Sequence, residues 1–276
     1  MLKVAITGAH SGIGQDLIKS LCGKEVRVVA LVTPWSKQDG LVQHHCVTYL
    51  ACDLSEEIAD DQASLLKDCD ILVHLAWARP KKVTNALADN LTLYDNIKAA
   101  LSNEVKTVFM SSVCATPHNP SCYGQAKYGL AQCLDRDKTV EIIAGLVRTT
   151  PAMGPYLALE NFVCKLHGAF KFLPSPQAIV ADGGQVMAAL KKAVLDFDNC
   201  GRFIRAYDPA PIRLNDLIKD ILKEKQVTGL PIPVPAGLTV WGVKLVRKIL
   251  PGLSISDRLI TLLTVSPEDL EHRFKE

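Results

Sequence analysis

An apolar run, Leu2 to Ile6, stops at Thr7-Gly8 and leads directly into Ala9-His10-Ser11-Gly12-Ile13-Gly14. A short continuous apolar run bounded by glycine suits a strand buried on both faces of a parallel sheet. Beyond it Ile13, Leu17, Ile18 and Leu21 recur at helical spacing. Strand, glycine-rich loop and helix in immediate succession leave few folds open. Gly8 permits a tight turn, Gly12 removes the side chain where a pyrophosphate must approach, and Gly14 lets helix and strand pack closely. The helix then offers unpaired backbone N–H groups to an anion. Gly8, His10, Ser11, Gly12, Ile13 and Gly14 are therefore expected to cradle a dinucleotide.

The alternation continues. Val26–Val32, Val47–Ala51, Ile71–Leu75, Val105–Met110 and Val140–Val147 read as strands, with helical patterns at Ser55–Lys67, Val83–Leu101 and Tyr123–Leu134. Such an order builds βαβ units, hence an α/β, Rossmann-like, doubly wound parallel sheet. After Arg148 the regularity breaks at Pro151, Pro155, Pro174 and Pro176, and the remaining pattern is mostly helical with one short strand, Arg202–Tyr207. We expect a dinucleotide-binding domain over residues 1–150, with return elements near 178–207, and a small, mostly helical substrate lobe over 151–276.

Composition narrows the function. The 276 residues carry 31 Lys+Arg against 29 Asp+Glu, which gives no electrostatic case for nucleic acid. No stretch of about 18 apolar residues occurs, so no transmembrane span is expected. The nearest candidate, Gln226–Val243, contains Pro231, Pro233 and Pro235. Nine cysteines, an odd number with no Cys-x-x-Cys pair, read as reduced thiols of a cytoplasmic protein. Residues 1–8 already form a strand and a glycine, so no leader peptide is expected before the fold. His44-His45-Cys46 has no matching cluster elsewhere in the sequence; it reads as a strand entrance, and no metal site is expected.

Three further features bear on chemistry. The second strand ends Leu31-Val32-Thr33 without the acidic residue that binds a ribose 2′-hydroxyl, and Lys37 follows. Thr33 and Lys37 thus favour NADP over NAD, while Asp39 keeps NAD open. Tyr123 and Lys127 stand four residues apart, on one face of a helix. A neighbouring ammonium stabilises phenolate, which suits Tyr123 as a general acid/base for a carbonyl/alcohol pair. Ser111-Ser112 ends a strand at its carboxyl end, where ligands sit in open α/β sheets.

These pieces, with Asp53-Leu54, His74-Leu75-Ala76, Asn90, and Arg148 followed by Gly154-Pro155, resemble the short-chain dehydrogenase/reductase superfamily. The resemblance is to its extended branch of NAD(P)-dependent epimerases and dehydratases and runs to about residue 265. It implies that Ser112, Tyr123 and Lys127 are the catalytic triad and that Lys127 also holds the nicotinamide ribose. By the same resemblance Asp53 and Leu54 contact adenine, and His74, Leu75, Ala76 and Ser111 line the cofactor. Simpler readings stand beside these. Asp53 could cap a helix beginning near Ser55, His74 could be a core histidine without a proton-transfer role, and Asn90 could be structural. Ser112 is favoured over Ser111 as the hydroxyl facing substrate.

The pattern also departs from the family. Only Val113–Cys122 separates Ser112 from Tyr123, and Ala115-Thr116-Pro117 replaces an aromatic usual in sugar-nucleotide enzymes of this branch. The glycine spacing is that of the shorter branch. Leu230–Pro235, Gly237–Leu250 and Asp257-Arg258-Leu259 resemble bacterial enzymes acting on nucleotide-linked sugars. Lys244, Arg247 and Lys248 form one face of a proposed helix, opposite Trp241, Leu245 and Ile249, to be met by solvent, a diphosphate or an anionic membrane surface. The expected function is an NAD(P)-dependent epimerase, dehydratase or reductase acting on a small-molecule substrate. A nucleotide-activated sugar leads, a small or lipid-like ketone is the alternative, and a non-catalytic NADP sensor or scaffold is the rival. A homodimer through helices 84–101 and 123–134 would follow the family's pairing, although Leu87, Leu91 and Tyr94 could equally pack inward.

Overall fold

The computed structural model describes residues 1–36, 39–78, 85–149, 151–168, 170–229, 231–235, 270–271 and 273–274. The first half runs β1 (Leu2–Thr7), α1 (Gly12–Leu21), β2 (Val26–Val32), β3 (Val47–Ala51), α2 (Asp60–Leu66), β4 (Ile71–His74), α3 (Ala86–Ala99), β5 (Lys106–Ser112), α4 (Cys122–Cys133) and β6 (Thr139–Ala144). The second half runs β7 (Leu146–Arg148), α5 (Gly154–Lys165), β8 (Phe170–Leu173), β9 (Gln177–Ala178), β10 (Val180–Asp182), α6 (Gly183–Leu195), β11 (Phe203–Ala206), β12 (Ile212–Arg213), α7 (Leu214–Glu224) and β13 (Ile232–Pro235).

Seven strands form one sheet in the order β11-β6-β5-β4-β1-β2-β3, every adjacent pair parallel. The apolar runs explain this. Val4, Ala5, Ile6, Ile71, Leu72 and Val73 are all buried, as strands covered on both faces require. One face packs Leu17, Ile18 and Leu21 of α1 and Val186, Leu190 and Val194 of α6 onto the sheet. The other packs Tyr94 and Ile97 of α3 and Leu130 and Ala131 of α4. Each fully buried Leu or Ile side chain contributes roughly 1.5–3 kcal/mol. The doubly wound sheet read from the sequence is thus present. Strand order reverses between β1 and β4, so the crevice at their carboxyl ends is where such a sheet holds a ligand.

After Arg148 the described residues carry α5, α6 and α7, and beside them more short strands than the sequence reading gave. A separate apolar cluster joins Tyr156, Leu159 and Val163 of α5 to Phe172, Ala178 and Val180 and to Leu214, Leu217, Ile218 and Ile221. Short strands accompany it, β7 pairing with β10, β9 with β12 and β8 with β13. The single run expected over Val140–Val147 divides at Gly145, where an added Cβ would lie 2.5 Å from the Ile179 carbonyl oxygen. The strand expected over Arg202–Tyr207 is β11, and it extends the main sheet beside β6. The return strand and helix are present as β10 and α6, with Asp182 and Gln185 forming a capping box. The helix expected over Ser55–Lys67 is confined to α2. The basic segment at Lys244, Arg247 and Lys248 lies outside the described residues.

Candidate active site

The glycine loop stands at the carboxyl end of β1, where the strand order reverses. Gly8 has φ +65°, and a Cβ there would lie 2.8 Å from the Ala76 nitrogen and 2.9 Å from the Leu75 carbonyl carbon. Only glycine lets these two crossings approach so closely. A Cβ on Gly14 would meet the carbonyl oxygens of Gly8 and Ala9 at 2.8 Å. Ser11 caps α1 by accepting the Gly14 N–H at 3.1 Å. Against bare Gly12 lies the Met153 thioether, a neighbour that sequence reading did not supply. His10 is exposed, and Ile13 packs partly against the core.

Thr7, fully buried at the end of β1, pins the end of β4. Its Oγ1 accepts the Leu75 and Ala76 N–H groups at 3.2 and 3.1 Å. With those lone pairs engaged, its hydroxyl proton goes to His74 Nδ1, 3.1 Å away, which leaves His74 protonated on Nε2. Burial, then the charge of Lys127, pushes the His74 pKa down to about 3. His74 therefore stays neutral through the physiological range, as a packing histidine stacked on Phe109 and edge-on to Tyr94. Asn90 is a buried strap: its Oδ1 accepts the Ala78 N–H at 2.8 Å and its Nδ2 donates to the Ala86 carbonyl at 2.7 Å. It fixes the segment after β4 to α3.

That segment carries Trp77, which no motif signalled. Its indole lies edge-to-face with Tyr123, ring centroids 5.3 Å apart, and the Lys127 Nζ stands 4.3 Å from the ring. Lys127 is buried, donates to the Met110 carbonyl at 2.7 Å and stands 4.7 Å from the Phe109 ring. Its position follows from the start of α4. Ser121 accepts the Gly124 N–H at 2.9 Å, a cap whose loss costs about 1 kcal/mol. A Cβ on Gly124 would lie 2.4 Å from the Cys114 carbonyl oxygen, so this helix can seat so deeply only with glycine there. Tyr123, half-buried, and Lys127 are thereby brought to the end of β5. Ser112, half-buried two residues beyond Met110, accepts the Cys114 N–H at 3.3 Å.

The ammonium is poorly solvated. Burial is the main cause that pushes the Lys127 pKa down to about 7; Glu141 pulls it up and Arg273 pushes it further down. Lys127 thus loses its charge near neutral pH in the free protein. An anionic dinucleotide seated beside Lys127, as the sequence reading expects, would favour the protonated form, so its binding would take up a proton. NADH affinity should strengthen as pH falls from 8 to 6, and in Lys127→Met that dependence should vanish. Titration by nicotinamide fluorescence checks this; equal pH dependence in both proteins would reject it.

Ser111 points elsewhere. It is buried, and its Oγ lies 3.4 Å from both terminal nitrogens of Arg273. Arg273 is 2% exposed, forms an ion pair with Glu141 of β6 and also donates to the Ala115 carbonyl. Its guanidinium stands 5.8 Å from the Tyr128 ring. A C-terminal residue thus closes the layer behind the expected triad.

The remaining motif residues spread around the crevice. Thr33 directly follows β2, its hydroxyl 2.5 Å from that of Ser36; Lys37 lies outside the described residues, and Asp39 is exposed. Asp53 does not cap α2, which starts at Asp60 after N-cap Ala59. Its Oδ1 accepts from Ser55 N and Oγ in a local turn. Leu54 is buried, its carbonyl held by Asn96 at 2.9 Å. Arg148 meets Glu224 of α7 at 3.4 Å. Tyr94 packs inward; Leu87 lies over Gly129 of α4 while 37% exposed. No helix among the described residues is long and apolar enough to cross a membrane.

A family model, the NAD dependent epimerase/dehydratase family, matches residues 4–166. No curated protein matches the sequence significantly. Among solved structures, the terminal R domain from the myxalamid PKS-NRPS biosynthetic pathway aligns with TM-score 0.69 and 15% identity, over 97% of this chain and 80% of that one. UDP-N-acetylglucosamine 4-epimerase from Bacillus cereus aligns with TM-score 0.62 and 17% identity, over 85% of this chain and 86% of the other. MoeE5 in complex with UDP-glucuronic acid and NAD gives TM-score 0.61 and 16% identity, over 84% of this chain and 85% of that one. At these identities the likeness is one of fold.

Proposed function

Because the chain belongs to the NAD-dependent epimerase/dehydratase family, we propose that it moves a hydride to or from a carbonyl/alcohol carbon of a small substrate, with Ser112, Tyr123 and Lys127 at the reacting centre. The observation that carries this reading is the fixing of Lys127 on the Met110 carbonyl, under a Trp77 ring whose edge meets Tyr123.

The residues present fit a dinucleotide, since the space at Gly8 and Gly14 is too close for any side chain. Gly8, Gly12, Gly14 and the first amides of α1 would hold its pyrophosphate. Leu75, Ala76 and Lys127 would line the nicotinamide end, and Asp53, Leu54 and Thr33 the adenosine end. When bound, the dinucleotide supplies or accepts the hydride. Ser112 holds the substrate oxygen, and Tyr123 gives it a proton or takes one. Protonated Lys127 stabilises the phenolate that results. Trp77 and Phe109 keep water from the ammonium.

A nucleotide-activated sugar is the proposed substrate, supported by family membership. The second reading, a small or lipid-like ketone reduced with NADPH, draws on one feature. Val113, Cys114, Ala115 and Thr116 are all buried, so the short link to α4 lies down on the fold instead of extending towards a large substrate. NADP is proposed over NAD because no acid ends β2. Titrating the protein with NADPH and NADH should show tighter NADPH binding, and a clear NADH preference would overturn that assignment. Pairing of two copies through α3 and α4 belongs to the same reading, and a monomer in sedimentation at working concentration would remove it.

A further inference from the structure

At the amino end of the sheet, remote from the glycine loop, the fold assembles three soft donors from separate parts of the sequence. Cys22 follows the last residue of α1, and His44 and Cys46 lead into β3. One ligand atom from each, two Sγ and a ring nitrogen, lies within 4.8 Å of the others, and all three residues are partly buried. We propose that Cys22, His44 and Cys46 bind one soft d10 metal ion, with Zn2+ as the defining case, leaving a fourth position for water.

Three observations support this. The sulfurs of Cys22 and Cys46 are 3.8 Å apart, and two thiolates bound about 2.3 Å from a tetrahedral zinc stand about 3.8 Å apart. A disulfide would instead require the sulfurs to close to about 2.05 Å. The imidazole presents the right nitrogen. His44 Nδ1 accepts the Cys46 backbone N–H at 3.3 Å, so it is the unprotonated ring nitrogen, and it lies 3.0 Å from the Cys46 sulfur; binding an ion turns its lone pair from that amide to the metal. The ligands are also held before any ion arrives. Cys22 N donates to Ile18 O at 3.1 Å, Val47 N to His44 O at 3.0 Å, and Val28 N to Cys46 O at 2.8 Å. Backbone anchoring of this kind lowers the ordering cost of a site.

A bound dication stabilises both thiolates, and two protons leave for each ion taken up. The ion would fasten the end of α1 to the start of β3. Sequence alone offered only the His44-His45-Cys46 cluster; Cys22 joins it through the return of α1 beneath the sheet.

The test uses the full chain, reduced and freed of metal without oxygen, and titrated with Co2+ and then Zn2+. The expected result is one Co2+ per chain with a thiolate-to-cobalt charge-transfer band and the visible spectrum of a tetrahedral ion, displaced by one Zn2+. Cys22→Ser, His44→Ala and Cys46→Ser should each weaken Zn2+ binding by more than the roughly 100-fold that loss of an outer-shell partner costs. Cys133→Ser, at an exposed cysteine, should bind as the parent does. The circular dichroism of all four variants should match the parent. Absence of the charge-transfer band, equal binding by Cys22→Ser, or a Cys22–Cys46 disulfide formed in place of the metal complex overturns the proposal.

Discussion

Tyr123→Phe should lower kcat by about 10³ while leaving dinucleotide affinity unchanged, since a positioned general acid/base supplies roughly 10²–10⁴ in rate. The substitution keeps the ring, and with it the edge-to-face contact with Trp77 at 5.3 Å. What is lost is the hydroxyl to which the proposed mechanism assigns the proton exchange with the substrate oxygen. Because that exchange belongs to the transition state, kcat and kcat/KM should fall together. Steady-state kinetics with a cofactor titration in parallel reads both quantities. A variant turning over within tenfold of the parent would remove Tyr123 from the mechanism and return attention to Ser112.

Arg273→Ala should cost about 3–5 kcal/mol of stability, the usual consequence of leaving one member of a buried ion pair uncompensated. Glu141 and Arg273 are 4% and 2% exposed. The guanidinium also serves the Ala115 carbonyl and approaches Ser111, so its removal leaves a carboxylate and a carbonyl unsatisfied. Replacing both partners together, as Glu141→Leu with Arg273→Met, should recover most of the loss, since an apolar pair of similar volume often matches a buried salt bridge. Thermal denaturation of the two single variants and the double variant checks this. A Tm of Arg273→Ala within a degree of the parent would mean that the C-terminal residue contributes nothing to the layer behind the triad. Arg273 also disfavours the Lys127 ammonium; removing it should raise the pH at which NADH affinity declines.

Much of this was legible in the sequence, and the rest was not for identifiable reasons. Leu2–Gly14 announces its strand, turn and helix because local sterics dictate all three, and the Tyr123–Lys127 spacing places two groups on one helical face wherever the helix lies. The seven-stranded sheet follows from buried apolar runs long enough to have a pattern. Strands β9 and β12 have two residues each, too few for any period to register, and the sequence reading did not give them. The acids Asp60 and Asp61 fall in the first turn of α2, and the earlier start expected at Ser55 is replaced by the Asp53 turn. Trp77 carries no motif; it meets Lys127 from a segment that Thr7 and Asn90 hold in place. Arg273 and Glu141 are 132 positions apart, and a pair at that distance has no local signature. For the same reason Cys22 and Cys46 appear unrelated until α1 returns to the amino end of the sheet.

The central claim is hydride transfer at Tyr123, and single-turnover isotope transfer tests it most directly. Excess protein is mixed with NADPH or NADH deuterated on either face of C4 and offered keto-sugar nucleotides and simple ketones. The account predicts that deuterium from one face appears on the carbinol carbon of a product with the parent protein, and that Tyr123→Phe binds the dinucleotide but transfers none. Dinucleotide bound tightly by both proteins, with no deuterium leaving it for any acceptor, would contradict the account and favour a protein that senses the cofactor without consuming it.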